Sequence, residues 1–191
     1  MSSSTSTPTS APNERVATRV ATSEVRRTKN SLPADVRTQV CQLLNQRLAD
    51  AIELQTQCKQ AHWNVKGPSF IALHELFDKV AGGASDYADL VAERIVQLGG
   101  MAEGTSRVAA QRTTLVDYPL TISTGEEHVA ALSDALSEFG RSARIAIEEM
   151  NELEDAGSAD ILTEISRGAD KWLWMVESHL PVPPVTAERA D

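Results

Sequence analysis

Residues 61–95, AHWNVKGPSFIALHELFDKVAGGASDYADLVAERI, constrain this chain more than any other stretch. Gly67-Pro68 divides it, because Gly can end a helix and Pro disfavours helical geometry in the residue before it. Beyond the break, Phe70, Leu73, Phe77, Val80, Ala84, Val91, Ile95 and Leu98 recur at the helical period. They predict a helix over 69–98, capped by Ser69 and stopped by Gly99-Gly100. His74, Asp78, Asp89 and Glu93 fall on a different side of it, within a sector about 100° wide. With His62 on the helix before, they make five candidate metal ligands turned away from the chain's own core. Carboxylates with one or two imidazoles suit ferrous iron, manganese or zinc alike. A charged face opposite an apolar stripe is otherwise simply solvated.

Distance sharpens the choice. Asp78 and Asp89 are separated by about 16 Å along a helix axis, whereas metal–oxygen bonds are roughly 2.0–2.6 Å long. One ion cannot touch both in one chain. The ligand pattern is nearly symmetric about Ala81-Gly82-Gly83-Ala84-Ser85, and each Gly inside a helix costs about 1 kcal/mol relative to Ala. A two-fold partner crossing antiparallel at this patch would bring His74 and Asp78 to the partner's Asp89 and Glu93. The residues themselves therefore suggest a metal site between subunits.

The rest of the chain supplies a bundle for that pair of helices. Val36, Val40, Leu43, Leu44, Leu48, Ala51, Leu54, Cys58 and Ala61 mark a long first helix beginning at Pro33. Residues 99–124 form a long connection with a possible short helix at 105–112, long enough to let the next helix run parallel to the second. The third long helix starts at Thr124, with Glu127 as capping-box partner. It carries Val129, Leu132, Leu136, Phe139, Ala143, Ile147 and Met150. Asp155-Ala-Gly-Ser makes a turn, and the last helix carries Ile161, Leu162, Ile165, Ala169, Trp172, Leu173 and Val176 until Pro181, Pro183 and Pro184 end it. The pattern is all-α: a ferritin-like four-helix bundle over 32–180 with a long crossover between its second and third long helices.

Two tails flank it. Residues 1–31 begin with Ser, Thr and Pro and hold Arg15, Arg19, Arg26, Arg27 and Lys29 against Glu14 and Glu24, a balance of +3 on a chain of net −9. They read as a flexible basic arm on an acidic body, an arrangement suited to nucleic acid at the arm and cations at the body. Residues 181–191 form a Pro-rich tail of net −1. No window is long and apolar enough to span a membrane, and the start lacks a signal-peptide core, so the expected compartment is the cytoplasm. Cys41 and Cys58, on one helix roughly 25 Å apart, cannot pair within the chain and read as packing or surface thiols. His128 reads as an exposed first-turn residue, and His179 as a cation near a helix C-terminus.

Many di-iron bundles place Glu-x-x-His inside the core; none of the four histidines here has Glu three residues before it. The runs His62-Trp63-Asn64-Val65-Lys66-Gly67, His74-Glu75-Leu76-Phe77-Asp78 and Asp89-Leu90-Val91-Ala92-Glu93-Arg94 resemble instead the ferroxidase signature of the Dps family. These are DNA-protecting ferritin-like proteins of starved bacteria. Ala159-Asp160-Ile161-Leu162-Thr163 and Asp170-Lys171-Trp172-Leu173-Trp174 resemble that family's last helix. The resemblance spans about 32–180 and implies a hollow homododecamer. It would oxidise ferrous iron at inter-subunit sites, preferably with hydrogen peroxide, and store the ferric mineral. It implies that His62, His74 and Asp78 of one subunit meet Asp89 and Glu93 of another. Trp63 would be an electron source beside the site or an interface packing residue. Asp155, Asp160 and Glu164 would line a pore that admits iron or serve only the helix start. The resemblance also implies a nucleoid-associated protein that binds DNA without sequence preference through Arg15, Arg19, Arg26, Arg27 and Lys29. The alternatives are an arm with no DNA role, and a non-enzymatic nucleoid-compacting scaffold with structural metal sites.

Overall fold

Two long antiparallel hairpins make the body. A computed structural model describes residues 25–181. Its helices are α1 (Ala34–Asn64), α2 (Phe70–Gln97), α3 (Ser106–Arg112), α4 (Gly125–Glu152) and α5 (Ala156–Glu177). Helix α1 packs along α2 and α4 along α5, with α1 also against α4 and α2 against α5. Among the described residues there is no strand, only an isolated parallel bridge between Lys66 and Thr124. The bundle is the all-α architecture expected from the apolar periodicity, with the short helix α3 inside the crossover.

The predicted stripes fill the core. Leu44 and Leu54 of α1, Phe77 and Ile95 of α2, Leu132, Leu136 and Met150 of α4, and Leu162 and Ile165 of α5 are fully buried. Each contributes about 1.5–3 kcal/mol relative to exposure. Cys41 and Cys58 are free and buried, as packing thiols. No helix among the described residues is long and apolar enough to cross a membrane.

Capping explains where the helices start. Thr124 and Glu127 form the reciprocal capping box. Ser69 holds the N-cap position of α2 at φ −95° and ψ 17° and makes no side-chain cap bond, so the expected cap is not formed. Gly67, at φ +114°, makes the preceding turn and accepts a hydrogen bond from Phe70 N at 3.1 Å. Asp155, expected in a turn through Ser158, is itself the N-cap of α5 and accepts from Ser158 N, so the helix begins at Ala156.

Long-range contacts fix the direction of α4. The Lys66–Thr124 bridge sets the start of α4 beside the start of α2. At the other end, Arg94 reaches Asp155 and Ser158 at the start of α5. Helices α2 and α4 therefore run the same way, and residues 98–124 cross the length of the bundle. Polar side chains of α1 hold this crossover. Asp50, fully buried, accepts from Thr114 N at 2.7 Å, Thr114 Oγ1 at 3.1 Å and Thr113 Oγ1 at 3.2 Å. Arg47 lies 3.1 Å from its other oxygen. Asn45 bonds Met101 O and Glu103 N, and Gln57 bonds Val116 O.

The structure shortens the predicted arm. Residues 25–31 lie against the bundle: Arg26 N donates to Gly99 O at 2.7 Å, and Val25 packs on the core. Buried Arg37 donates to the carbonyls of Leu32, Arg26 and Leu98. Gly99, at φ +85°, is required here, because a Cβ would stand 2.7 Å from Arg26 O. Arg26, Arg27 and Lys29 thus belong to a docked base. Arg15 and Arg19, the rest of the predicted arm, and residues 182–191 lie outside the described residues.

Replacing Asp50 with Ala should leave the Thr114 amide and Arg47 without their buried acceptor and cost about 3–5 kcal/mol. Urea denaturation followed by circular dichroism measures it. A loss below about 1 kcal/mol would mean that water replaces the carboxylate.

Candidate metal centre

The α1–α2 hairpin brings His62, in the last turn of α1, against His74 of α2. His62 Nδ1 lies 2.7 Å from His74 O, and His74 Nδ1 lies 2.8 Å from His62 O. The two rings stack with centroids 3.7 Å apart and planes 23° from parallel. A carbonyl oxygen only accepts, so both Nδ1 atoms must donate. In the neutral rings Nε2 then carries the free lone pair, which is the form that ligates a metal ion. The backbone thus sets both tautomers and both ring orientations.

Asp78 stands one turn beyond His74, exposed. Lys59 Nζ lies 2.7 Å from Asp78 Oδ1. That hydrogen bond is the main reason the Asp78 carboxyl is held below its ordinary range, with the charges of Lys59, His62 and His74 adding to it. Lys59 also lies 5.8 Å from the centroid of the Trp63 ring, which is 66 % exposed. Sequence reasoning passed over Lys59, although its i,i+3 spacing from His62 puts both on one helix face.

Asp89 and Glu93 are exposed further along α2, and neither has an ion-pair partner among the described residues. Among those residues no three His, Cys, Asp or Glu side chains of the single chain come together as a metal-holding group. The geometry brings His62 against His74, with Asp78 one turn along α2 and held by Lys59, and leaves Asp89 and Glu93 about 16 Å along the axis from Asp78. Of the two central glycines, Gly83 is explained within the chain, since a Cβ there would be 2.8 Å from Trp172 Nε1. A Cβ at Gly82 would meet nothing within 4 Å among the described residues.

The acidic set at the start of α5 divides. Asp155 is buried, with Oδ1 2.7 Å from the Arg94 guanidinium and Oδ2 2.6 Å from Ser158 Oγ. Its carboxylate joins the end of α2 to α5 and does not line an open surface, which corrects its expected place in a pore. Asp160 and Glu164 are exposed, one turn apart.

His128 also differs from expectation. It is buried, 1 % exposed, because the returning crossover covers the first turn of α4. Its Nδ1 lies 2.5 Å from the Tyr118 hydroxyl, and the Asn64 backbone faces the ring. Burial holds its pKa below the ordinary 6.5, against the upward pull of the Asn64 backbone and Glu127. His179 is exposed just past the end of α5, as expected.

Comparison with known proteins agrees with the fold. The model of the ferritin-like domain matches residues 41–182. The DNA protection during starvation protein of Agrobacterium fabrum is 42 % identical over 154 residues, covering 81 % of this chain and 95 % of that protein. Its counterpart from Mycolicibacterium smegmatis is 36 % identical over 141 residues, 74 % of this chain and 76 % of that one. Among solved structures, DpsC from Streptomyces coelicolor superposes with a TM-score of 0.79 at 33 % identity, covering 84 % of this chain and 94 % of its own. The class defined by fold and match is the ferritin-like helical bundle. Within it, the chain belongs to the Dps family.

Because folded His128 resists protonation, the unfolded chain takes up a proton first as pH falls through 6.5. Its contribution should be complete above that value and decline below it, levelling off beneath the lowered folded pKa. His128→Gln should flatten this part of the stability–pH curve; an unchanged slope would assign the dependence to other groups.

Proposed function

We propose that the chain is the protomer of a ferroxidase and iron-storage cage, with ferrous iron as substrate and hydrogen peroxide as preferred oxidant. The carrying observation is the reciprocal Nδ1–carbonyl pair of His62 and His74, which leaves the Nε2 lone pair of each ring for a metal ion. Asp78, one turn along α2, adds an exposed carboxylate. Asp89 and Glu93, out of reach in the same chain, would complete the set from a two-fold partner, with open Gly82 at the crossing. Manganese or zinc would compete for the same donors.

Two ferrous ions held together give peroxide its two electrons at once. The O–O bond breaks, two protons are taken up, and two ferric ions and two waters result, with no hydroxyl radical released. Trp63 stands beside these ligands as an auxiliary electron source. Asp160 and Glu164 remain exposed carboxylates suited to a pore admitting iron in a homododecamer. The relatives' name, DNA protection during starvation protein, supports a cytoplasmic, nucleoid-associated role for this chain too.

Asp89→Ala with Glu93→Ala should slow peroxide-driven ferrous oxidation by at least about tenfold, given that even an outer-shell partner is worth 10–100-fold. Ferric absorbance reads the rate, and circular dichroism should show the helices unchanged. An undiminished rate would remove these residues from the site.

DNA contact through Arg15 and Arg19 is the second part of the proposal. Residues 25–31 dock on the body, so deleting 1–24 should abolish the electrophoretic shift of DNA while leaving iron oxidation intact. The full chain's shift should weaken with salt as counterion release requires. Retention of the shift by the truncated chain would move the contact elsewhere.

A further inference from the structure

Tyr118 and His128 form a hydrogen-bonded pair that the iron chemistry above leaves without a task. Tyr118 lies half-buried in the crossover, and His128 is buried in the first turn of α4. The phenol oxygen is 2.5 Å from Nδ1, and the rings lie within 15° of parallel with centroids 6.1 Å apart. A phenol donating to imidazole needs the Nδ1 lone pair, so the ring's own proton sits on Nε2, on the side of the Asn64 backbone.

Residues that flank the candidate metal centre share a cleft with Tyr118. Tyr118 lines one surface cleft together with Lys59, Gln60 and Trp63, and Lys59 is ion-paired with Asp78. On the inner side, the Asn64 backbone next to Trp63 faces His128. Burial raises the Tyr118 pKa far above its ordinary value, so the phenol keeps its proton at neutral pH. Burial lowers that of His128, so the imidazole is free to accept one.

The geometry points to Tyr118 as a reserve one-electron donor whose phenolic proton passes to His128 Nδ1. This rests on the ferroxidase reading and extends it to the site holding a single ferrous ion. There, peroxide receives one electron from iron and would leave as hydroxide and hydroxyl radical. With Tyr118 the second electron is at hand. The O–O bond breaks, two solvent protons are taken up and two waters form. Iron becomes ferric, Tyr118 becomes a neutral tyrosyl radical, and His128 becomes imidazolium. A later ferrous ion returns the electron to Tyr118 while His128 returns the proton. Tyr118 is thus an electron-donating residue, and His128 its positioned base.

The test loads the full-length protein with one ferrous ion per site, adds hydrogen peroxide, and freezes the mixture for electron paramagnetic resonance. A tyrosyl signal is expected, narrowed when the protein carries ring-deuterated tyrosine. The chain has two tyrosines, and Tyr87→Phe should leave the signal in place. Tyr118→Phe should lose it and increase hydroxyl spin-adduct yield, while oxidation at two ferrous ions per site stays at the wild-type rate. His128→Gln, which retains a polar side chain but no base, should lose the signal too. A signal that survives Tyr118→Phe, or disappears only in Trp63→Phe, overturns the inference and leaves the ferroxidase reading standing. Absence of ferrous oxidation in the wild type overturns both.

Discussion

The candidate site depends on two hydrogen bonds, each running from an imidazole to the main chain of the opposite helix. They tie His62 to α2 and His74 to α1, so the orientation of the rings is inherited from the packing of the hairpin. A histidine on a helix surface ordinarily samples several rotamers and both tautomers. Here the carbonyls remove that freedom before any ion arrives, and preorganisation of this kind reduces the ordering cost of binding. Lys59 completes the arrangement by holding Asp78 in its ionised form.

The hairpin keeps this geometry because the rest of the fold closes around it. Arg94, Asp155 and Ser158 clasp the far end of α2 to α5. Asp50 and its neighbours on α1 hold the crossover that carries the chain back to the start of α4. That return path covers His128 and sets Tyr118 in the cleft that Trp63 also lines. One connection therefore fixes the parallel course of α2 and α4.

What was legible in the sequence was local and periodic. The apolar stripes, the Gly67 break, the Thr124–Glu127 box and the position of α3 follow from spacing within one element, and each stands in the structure. The meeting of His62 with His74 was equally readable, since it needs only two helices and a short turn. What was not legible came from partners distant in sequence. Gly83 accommodates Trp172, Asp155 answers Arg94, and Arg37 gathers carbonyls from both the N-terminal segment and the end of α2. His128 looked like a solvated first-turn residue because its cover, Tyr118, lies across a turn that no helical period describes. Ser69 had the right chemistry for a cap but the wrong backbone angles, fixed by the adjoining Gly-Pro turn.

The central claim is that one active site is assembled from two copies of the chain, and subunit mixing tests it most directly. His62→Ala/His74→Ala chains and Asp89→Ala/Glu93→Ala chains, each inactive alone, would be co-assembled in equal amounts and assayed for peroxide-driven ferrous oxidation. A shared two-fold site predicts recovery of about one quarter of the wild-type activity, because half of randomly formed interfaces pair unlike chains and one of their two sites is whole. Co-assembled particles with no activity beyond that of either variant alone would contradict the account, placing all five ligands' work within a single chain.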